Sequence, residues 1–206
     1  LNKYFNLGDY SIFFTLFCLM LLINSINLID GIDGLCILII IIFFISIILF
    51  FENIILHHVM MVIALFYILL LNLKKNIFIG DSGSLFLGSL TGLLIINNYN
   101  NQLLTNNYPV ENVFIILMLP GIDMFRVFMQ RALKNKNPFT PDRIHLHYLL
   151  LDKPLTLNKT LTVLLSLILI PISVNLFTKI ASYQIILSYI LVYILLILYL
   201  YRVKIK

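Results

Sequence analysis

Residues 35–51 read LCILIIIIFFISIILFF, an apolar run without a charged side chain. A helix that crosses the hydrocarbon core of a bilayer needs about 20 mainly apolar residues, so this run is a short candidate span. Backbone groups in lipid must pair within their own segment, which favours helices. We therefore predict an all-α, polytopic membrane bundle with about seven transmembrane helices. The six other candidate spans are 10–29, 54–72, 77–96, 112–130, 160–178 and 183–201.

The composition agrees with a membrane protein. Of the 206 residues, 61% are hydrophobic and 11% are charged, whereas soluble domains contain about 25% charged residues. The longest loop, 131–159, is too short to bury a core of its own. We predict one transmembrane domain over 1–206. Cys18 and Cys36 lie in apolar runs, where cysteine usually acts as a small buried hydrophobe.

The distribution of positive charge predicts the orientation. When the loops are assigned alternately to two faces, eleven of the 14 Lys and Arg residues fall on one face. The positive-inside rule makes that face cytoplasmic, which predicts a multi-pass protein of the cell inner (plasma) membrane. The net charge of +5 is then a signal of topology, and no nucleic acid partner is expected.

The first polar cluster is NSINLIDGIDGL at 24–35. In a helix Asn24, Asn27 and Asp30 would share one side. Their amide and carboxylate oxygens, with those of Asp33, suit Mg²⁺ or the donor groups of a nucleobase. The alternative is an ordinary helix end with an Asp-Gly turn. Two Asp-Gly pairs after in-phase asparagines at a membrane interface favour a functional site.

The second cluster is FIGDSGS at 78–84, directly before an apolar run. The N-terminus of a helix has unpaired amides and a dipole that favour anions such as phosphate, and Asp81 could bind the accompanying metal. Simple capping by Asp81 or Ser82 is the alternative. The glycines at 80 and 83 favour an anion site, because capping alone does not require them.

The third cluster is PFTPDRIHLH at 138–147. It places the guanidinium of Arg143 close in sequence to the imidazoles of His145 and His147, a combination suited to a diphosphate. A zinc site is the competing interpretation, but His-x-His without further ligands is weak support for zinc. A solvated basic loop explains the lysines of this region better than its histidines.

Three motifs together resemble the polyprenyl-phosphate N-acetylhexosamine-1-phosphate transferases, glycosyltransferase family 4. They are NLIDGIDGL at 27–35, FIGDSGSL at 78–85 and DRIHLH at 142–147, extended by the stretch 120–131 with its Asp123. Their order, separation and shared membrane face also agree with this family.

The resemblance implies an Mg²⁺-dependent glycosyl-1-phosphate transferase. Such an enzyme transfers N-acetylhexosamine 1-phosphate from a UDP-N-acetylhexosamine to polyprenyl (undecaprenyl) phosphate, releases UMP and initiates a lipid-linked cell-envelope glycan. The lipid bilayer is the third expected partner, and a homodimer is compatible with the resemblance. The alternative within the family is a phospho-N-acetylmuramoyl-pentapeptide transferase of peptidoglycan synthesis.

The resemblance also implies roles for individual residues. Asn27 and Asp81 would bind Mg²⁺, with Mn²⁺ as the alternative ion, and Phe78 would stack on uracil. The loop 131–159 would bind substrate on the cytoplasmic side, where its Arg143 and both histidines hold the diphosphate or sugar. Asp30 and Asp33 would line the uridine pocket. The predicted catalytic set is Asp30, Asp33, Asp81, His145 and His147, and the predicted substrate-binding set is Asn24, Asn27, Phe78, Gly80, Ser82 and Arg143.

Two departures from the family pattern are visible. The aspartate-rich motif of an earlier loop is not found in these 206 residues, so we expect the chain to be the C-terminal part of a longer enzyme. Tyr148 stands where the family commonly has a further histidine. Functions of other classes are a membrane transporter, which predicts charges through the depth of the bilayer, or an inactive fragment. His57 and His58 are expected to be interfacial anchors on the exterior face.

Overall fold

The computed structural model describes residues 8–51, 56–103, 110–135, 137, 144–153 and 155–204. Within these ranges the chain forms nine helices and no strand, which confirms the all-α prediction. The helices are α1 (Tyr10–Ile29), α2 (Leu35–Phe51), α3 (Leu56–Leu73), α4 (Gly80–Leu103), α5 (Val110–Ile116), α6 (Met118–Leu133), α7 (Leu146–Leu151), α8 (Leu157–Phe177) and α9 (Ser182–Lys204).

Four helices in the described part of the chain are long and apolar enough to cross a membrane, namely α1, α3, α8 and α9. Large apolar side chains such as Phe13 and Phe17 on α1 are exposed, as expected for surfaces that face lipid. Of the other predicted spans, 35–51 is the 17-residue helix α2. The segment 77–96 lies mostly in α4, which has polar residues near both ends. The polytopic helical architecture is confirmed.

The predicted span 112–130 is not one continuous helix. A turn at Leu117 separates α5 from α6. Pro120 has no N–H group to bond the carbonyl of Ile116, and its ring clashes with that carbonyl in a regular helix. The first helix therefore ends at Ile116, and the hydrogen bond from Gly121 N to Leu117 O (3.1 Å) begins the next one.

The helix α2 lies at the centre of the bundle. Its residues Ile37, Ile40 and Phe43 are almost completely buried, and it contacts α1, α3, α4, α5 and α8. A helix that is apolar on every side is stable in such a position. The ring of His58 on α3 is buried near Phe44 of α2, at a centroid distance of 6.0 Å. The expectation that His58 is an interfacial anchor is therefore wrong, because it faces the neighbouring helix.

The described parts of the region 131–159, which was predicted as a loop, include helical residues. The helix α6 continues to Leu133, and α7 forms a short helix between α6 and α8. Three leucines of α7, at positions 146, 149 and 150, are buried, and the helix contacts α8 and α9. This apolar anchoring holds the histidine motif against the bundle.

Small residues allow α1 and α4 to approach closely. Ser84, Gly88 and Gly92 recur every four residues on α4. A Cβ atom at Gly88 would lie 3.0 Å from the Cα atom of Ile23, and one at Gly92 would contact Leu19. In membranes, such small residues permit the backbone proximity that drives helix association. The C-terminal end of α1 and the N-terminal end of α4 are thereby brought together.

Replacing Gly88 with alanine should lower the free energy of unfolding by about 1–3 kcal/mol, because the methyl group overpacks a contact with helix backbone. The matched control is Gly121→Ala on α6, where a Cβ atom would meet no atom within 4 Å. That change should be neutral or stabilise by up to about 1 kcal/mol. Unfolding in detergent measures both, and equal stability of the two variants would contradict the close α1–α4 contact.

Candidate functional site at the α1–α4 junction

The first two sequence clusters meet through hydrogen bonds. Asn27 Nδ2 donates to Ser84 Oγ at 2.9 Å and to Asp81 Oδ1 at 3.3 Å. Ser84 is fully buried, and its hydroxyl donates to the carbonyl oxygen of Gly80 at 3.1 Å. The sequence motif contains Ser84, but the residue types alone did not indicate its role. It ties the end of α1 to the first turn of α4.

The first turn of α4 presents an exposed polar surface. Gly80 begins the helix with φ +62°, a left-handed conformation that glycine adopts without strain. Asp81 and Ser82 follow and are exposed. The preceding Phe78 has 74% of its surface exposed and lies beside Gly80. This arrangement offers backbone amides, a hydroxyl, a carboxylate and an aromatic face to one ligand.

Three carboxylates concentrate negative charge near the junction. Asp30 ends α1 and is half-buried, whereas Asp33 is exposed in the turn that leads to α2. Burial raises the pKa of Asp30 to about 6, and the charges of Asp81 and Asp33 act in the same direction. Such crowding of acidic groups favours binding of a proton or a cation.

The residues at this junction fit a hydrated magnesium ion. Mg²⁺ is usually held by one or two carboxylates together with water and substrate phosphates. Asp81 supplies a carboxylate, and rotation of the adjacent Asn27 amide would supply an oxygen. Among the described residues, no group of three or more His, Cys, Asp or Glu residues could hold a metal ion. The carboxylate and amide oxygens at the junction are the ligand types that Mg²⁺ or Mn²⁺ takes together with water and phosphate.

The histidine motif packs directly against the turn after α1. A Cβ atom at Gly31 would lie 2.5 Å from His147 Nε2 and 2.8 Å from the hydroxyl oxygen of Tyr148. Only glycine fits this position without displacement of the ring. The third sequence cluster is therefore joined to the first. Arg143, the remaining predicted residue of this motif, lies outside the described residues.

The two histidines of the motif are buried. Their rings are nearly parallel, with centroids 6.0 Å apart. Within the described part of the chain, Nε2 of His145 and Nε2 of His147 have no hydrogen-bond partner. Burial lowers the pKa of His147 to about 4, which leaves this ring neutral near pH 7. Each ring therefore has one buried nitrogen without a hydrogen-bond partner among the described residues.

Asn24, which was also predicted to bind substrate, lies one turn before Asn27 on α1. Asn24 is exposed, and none of the hydrogen bonds between described residues connects it to Asn27 or Asp81. A three-residue step rotates a side chain by about 300° around a helix, so residues at this spacing are offset by about 60°. The shared face inferred for Asn24 and Asn27 is therefore only approximate.

Asp123 is a buried acid that the predicted catalytic set did not include. Its Oδ2 atom lies 2.8 Å from His145 Nδ1, and Leu146 N donates to its Oδ1 atom at 3.2 Å. A charged residue inside a predicted span is itself a signal of function. That signal was present in the sequence, but its partner could not be recognised there.

The structure thus defines a polytopic helical protein in which residues of the three sequence clusters lie close together. Residues 2–98, which include the first two clusters, match the family model described as "Glycosyl transferase family 4". This match over nearly half of the chain supports the resemblance to the family that the sequence motifs predicted.

The curated relatives carry one name. An undecaprenyl-phosphate alpha-N-acetylglucosaminyl 1-phosphate transferase of Escherichia coli (strain K12) is 27% identical over 157 residues, covering 70% of this chain and 42% of the relative. The protein of that name from Yersinia pestis is 28% identical with the same coverage. The one from Haemophilus influenzae is 36% identical over 84 residues, or 40% of this chain and 23% of the relative. The chain thus spans 42% of the length of the first two. No solved structure matches it.

Removing the charge of Asp30 should stabilise the protein above pH 6. The folded protein binds this proton more tightly than the unfolded chain does, because the pKa of Asp30 is raised from 3.8 to about 6. The ionised carboxylate of Asp30 therefore lowers the free energy of unfolding. This effect is complete above about pH 6 and absent below pH 3.8, where Asp30 is protonated in both states. We expect Asp30→Asn to have the higher melting temperature at pH 7.5 without divalent ions, and the difference to vanish towards pH 4.

Asp9→Asn is the control for this experiment, because Asp9 is an exposed acid at the opposite end of α1. It should show no comparable gain. A melting temperature of Asp30→Asn at or below that of the unmodified protein at pH 7.5 would contradict the proposed charge crowding.

Proposed function

We propose that this chain carries the donor-binding site of a glycosyl-1-phosphate transferase. The reaction transfers N-acetylhexosamine 1-phosphate from UDP-N-acetylhexosamine to polyprenyl phosphate, with undecaprenyl phosphate as the proposed acceptor. The observation that carries the proposal is the contact between Asn27 and Asp81 beside the buried histidine pair. The names of the curated relatives support the same reaction class.

Each part of the junction suits one part of a UDP-sugar. The free amides at the start of α4 and the hydroxyl of Ser82 would bind phosphate oxygens. Phe78 would stack on uracil, while Asp30 and Asp33 would accept hydrogen bonds from the uridine. The Nε2 atoms of the two histidines would contact the diphosphate or the sugar. Mg²⁺ or Mn²⁺ held by Asn27 and Asp81 would compensate the charge of the diphosphate.

The proposed reaction is a displacement at phosphorus. A phosphate oxygen of the acceptor attacks the β-phosphorus of the donor, and the bond from this phosphorus to the bridging anhydride oxygen breaks. The bridging oxygen leaves with UMP, and the sugar remains attached to the new lipid diphosphate. The protein residues contribute position and electrostatic stabilisation as negative charge moves to the leaving phosphate.

The alternatives receive less support. A phospho-N-acetylmuramoyl-pentapeptide transferase is less favoured because the curated relatives have the other activity in their names. A transporter is less favoured because the acids of the candidate site lie together at one end of the bundle. A role in initiating a cell-envelope glycan follows from the proposed reaction, and the homodimer stays a prediction.

We further propose that the site faces the cytoplasm from the inner membrane. The turn that contains Asp33 and Gly34 packs on Leu73 at the end of α3. Lys74 and Lys75 follow Leu73 directly and are exposed. Their positive charges therefore lie at the same end of the bundle as the acidic junction, and the positive-inside rule makes this end cytoplasmic.

Asp81→Asn tests the proposed metal ligand. Transfer from UDP-N-acetylglucosamine to undecaprenyl phosphate should fall by at least about 100-fold, because a charged group that compensates the diphosphate is lost. Magnesium should also raise the melting temperature of this variant less than that of the unmodified protein. Stability without magnesium should change little, since asparagine also caps helices.

Glu111→Gln, an exposed change of the same charge on α5, is the control and should behave as the unmodified protein. Normal turnover and normal magnesium dependence in Asp81→Asn would contradict the proposed metal ligand. Asp81 would then act only as a cap at the start of α4.

Cysteine labelling tests the orientation. In a background without Cys18 and Cys36, single cysteines at the exposed positions Asp33 and Ser82 should react with an impermeant maleimide only in inverted membrane vesicles. A cysteine at the exposed Tyr183, near the start of α9, should react only in right-side-out vesicles. Reaction of position 33 or 82 from outside would exclude a cytoplasmic site.

A further inference from the structure

Asp123 accepts hydrogen bonds from several elements of the bundle. Its Oδ1 atom accepts from Arg126 Nη2 at 2.8 Å and from the Tyr193 hydroxyl at 2.6 Å. Leu146 N donates to the same atom at 3.2 Å, while Oδ2 lies 2.8 Å from His145 Nδ1. The carboxylate is buried, and a buried charge of this kind is stable only when it is paired and hydrogen-bonded.

Arg126 holds the same segment at a second point. Its Nη2 atom also donates to the carbonyl oxygen of Ile144 at 2.7 Å, and its Nε atom donates to the Tyr193 hydroxyl at 2.8 Å. The carboxylate of Asp123 and the guanidinium of Arg126, both on α6, thus hold residues 144–146 in place. The tyrosine on α9 connects both groups, although it is 70 residues away in sequence from Asp123.

The donors around Asp123 determine the protonation state of His145. Since Oδ1 is surrounded by N–H and O–H donors, the carboxylate is ionised and can only accept. The nearby Nδ1 atom of His145 must then carry a proton to form its hydrogen bond. In the neutral ring this arrangement leaves the lone pair on Nε2, which is buried and has no partner among the described residues.

We propose that Asp123 is a positioning residue that holds His145 with Nδ1 protonated and Nε2 directed to the substrate, and that Arg126 and Tyr193 keep Asp123 in place for this role. The inference deepens the proposed function and rests on it. The chemical group that Nε2 would meet is a phosphate oxygen. The unprotonated Nε2 atom can accept a hydrogen bond from a protonated phosphate, and a protonated Nε2 atom can donate one to an ionised phosphate.

Nitrogen NMR of the histidine side chains tests the proposal without any enzymatic assay. The chain contains four histidines, so the His145 signals of a ¹⁵N-histidine-labelled sample in detergent can be assigned with the His145→Gln variant. We expect Nδ1 of His145 to carry a proton in the unmodified protein. A bare Nδ1 atom would overturn the proposal directly.

Asp123→Asn gives the sharper result. The donors from Arg126, Tyr193 and Leu146 require an oxygen at the Oδ1 position, so the amide nitrogen of the asparagine must face His145 Nδ1. The amide then donates to Nδ1, and the proton of the neutral ring should move to Nε2. If Nδ1 kept its proton in a folded Asp123→Asn protein, Asp123 would not determine the tautomer.

Kinetics provide the second readout. Asp123→Asn should lower kcat by about 100-fold or more, the range of a misplaced acid–base group, with little change in the KM for UDP-N-acetylglucosamine. Tyr193→Phe removes one donor to the carboxylate and should lower kcat less. Tyr199→Phe on the same helix is the matched control, because this side chain is 63% exposed. An unchanged kcat in Asp123→Asn would overturn the positioning role.

The two readouts separate this inference from the proposed function. If the full-length protein that contains this chain transferred no sugar phosphate from UDP-N-acetylglucosamine, the proposed function would fail. The tautomer of His145 would still decide whether Asp123 positions the ring. If transfer occurred and Nδ1 were bare, the proposed function would survive without the positioning role.

Discussion

The close approach of α1 and α4 is the contact on which the site depends. Glycine at position 88 leaves room for the backbone at Ile23, and this proximity allows Asn27 to donate hydrogen bonds to Ser84 and Asp81. In a membrane, apolar side chains gain little from leaving lipid for protein, so shape and polar contacts must hold the helices together. The same hydrogen bonds that join the helices also arrange the polar groups of the site.

The bundle places unfavourable charge where a ligand could relieve it. Asp30, Asp33 and Asp81 repel one another at the junction, and burial adds to the destabilisation of ionised Asp30. Asp123 is in the opposite electrostatic environment, because hydrogen-bond donors surround its carboxylate. One acidic group is thus fully compensated within the protein, while the other three remain available to a cation. This contrast separates Asp123, the proposed positioning residue, from the three acids of the proposed ligand site.

The sequence predicted the parts of the structure that depend on local pattern. Long apolar runs predicted the helices, and the charge asymmetry together with three motifs predicted one shared site. The contact of Gly31 with His147 agrees with that expectation. Tertiary partners were less predictable, because no sequence pattern links Tyr193 to Asp123. The helix break before Pro120 follows from the missing N–H group of proline. A prediction based on hydropathy alone does not detect this break.

The repeat of small residues on α4 also limits how the two helices can slide. Ser84, Gly88 and Gly92 are four residues apart, so α1 meets similar depressions in α4 only at steps of about 6 Å along the axis. A shift of one step would carry Asp81 beyond hydrogen-bonding distance of Asn27, and smaller shifts would press Ile23 against a side chain larger than glycine. Of these registers, only the one in the structure combines close packing of the two helices with the hydrogen bond from Asn27 to Asp81.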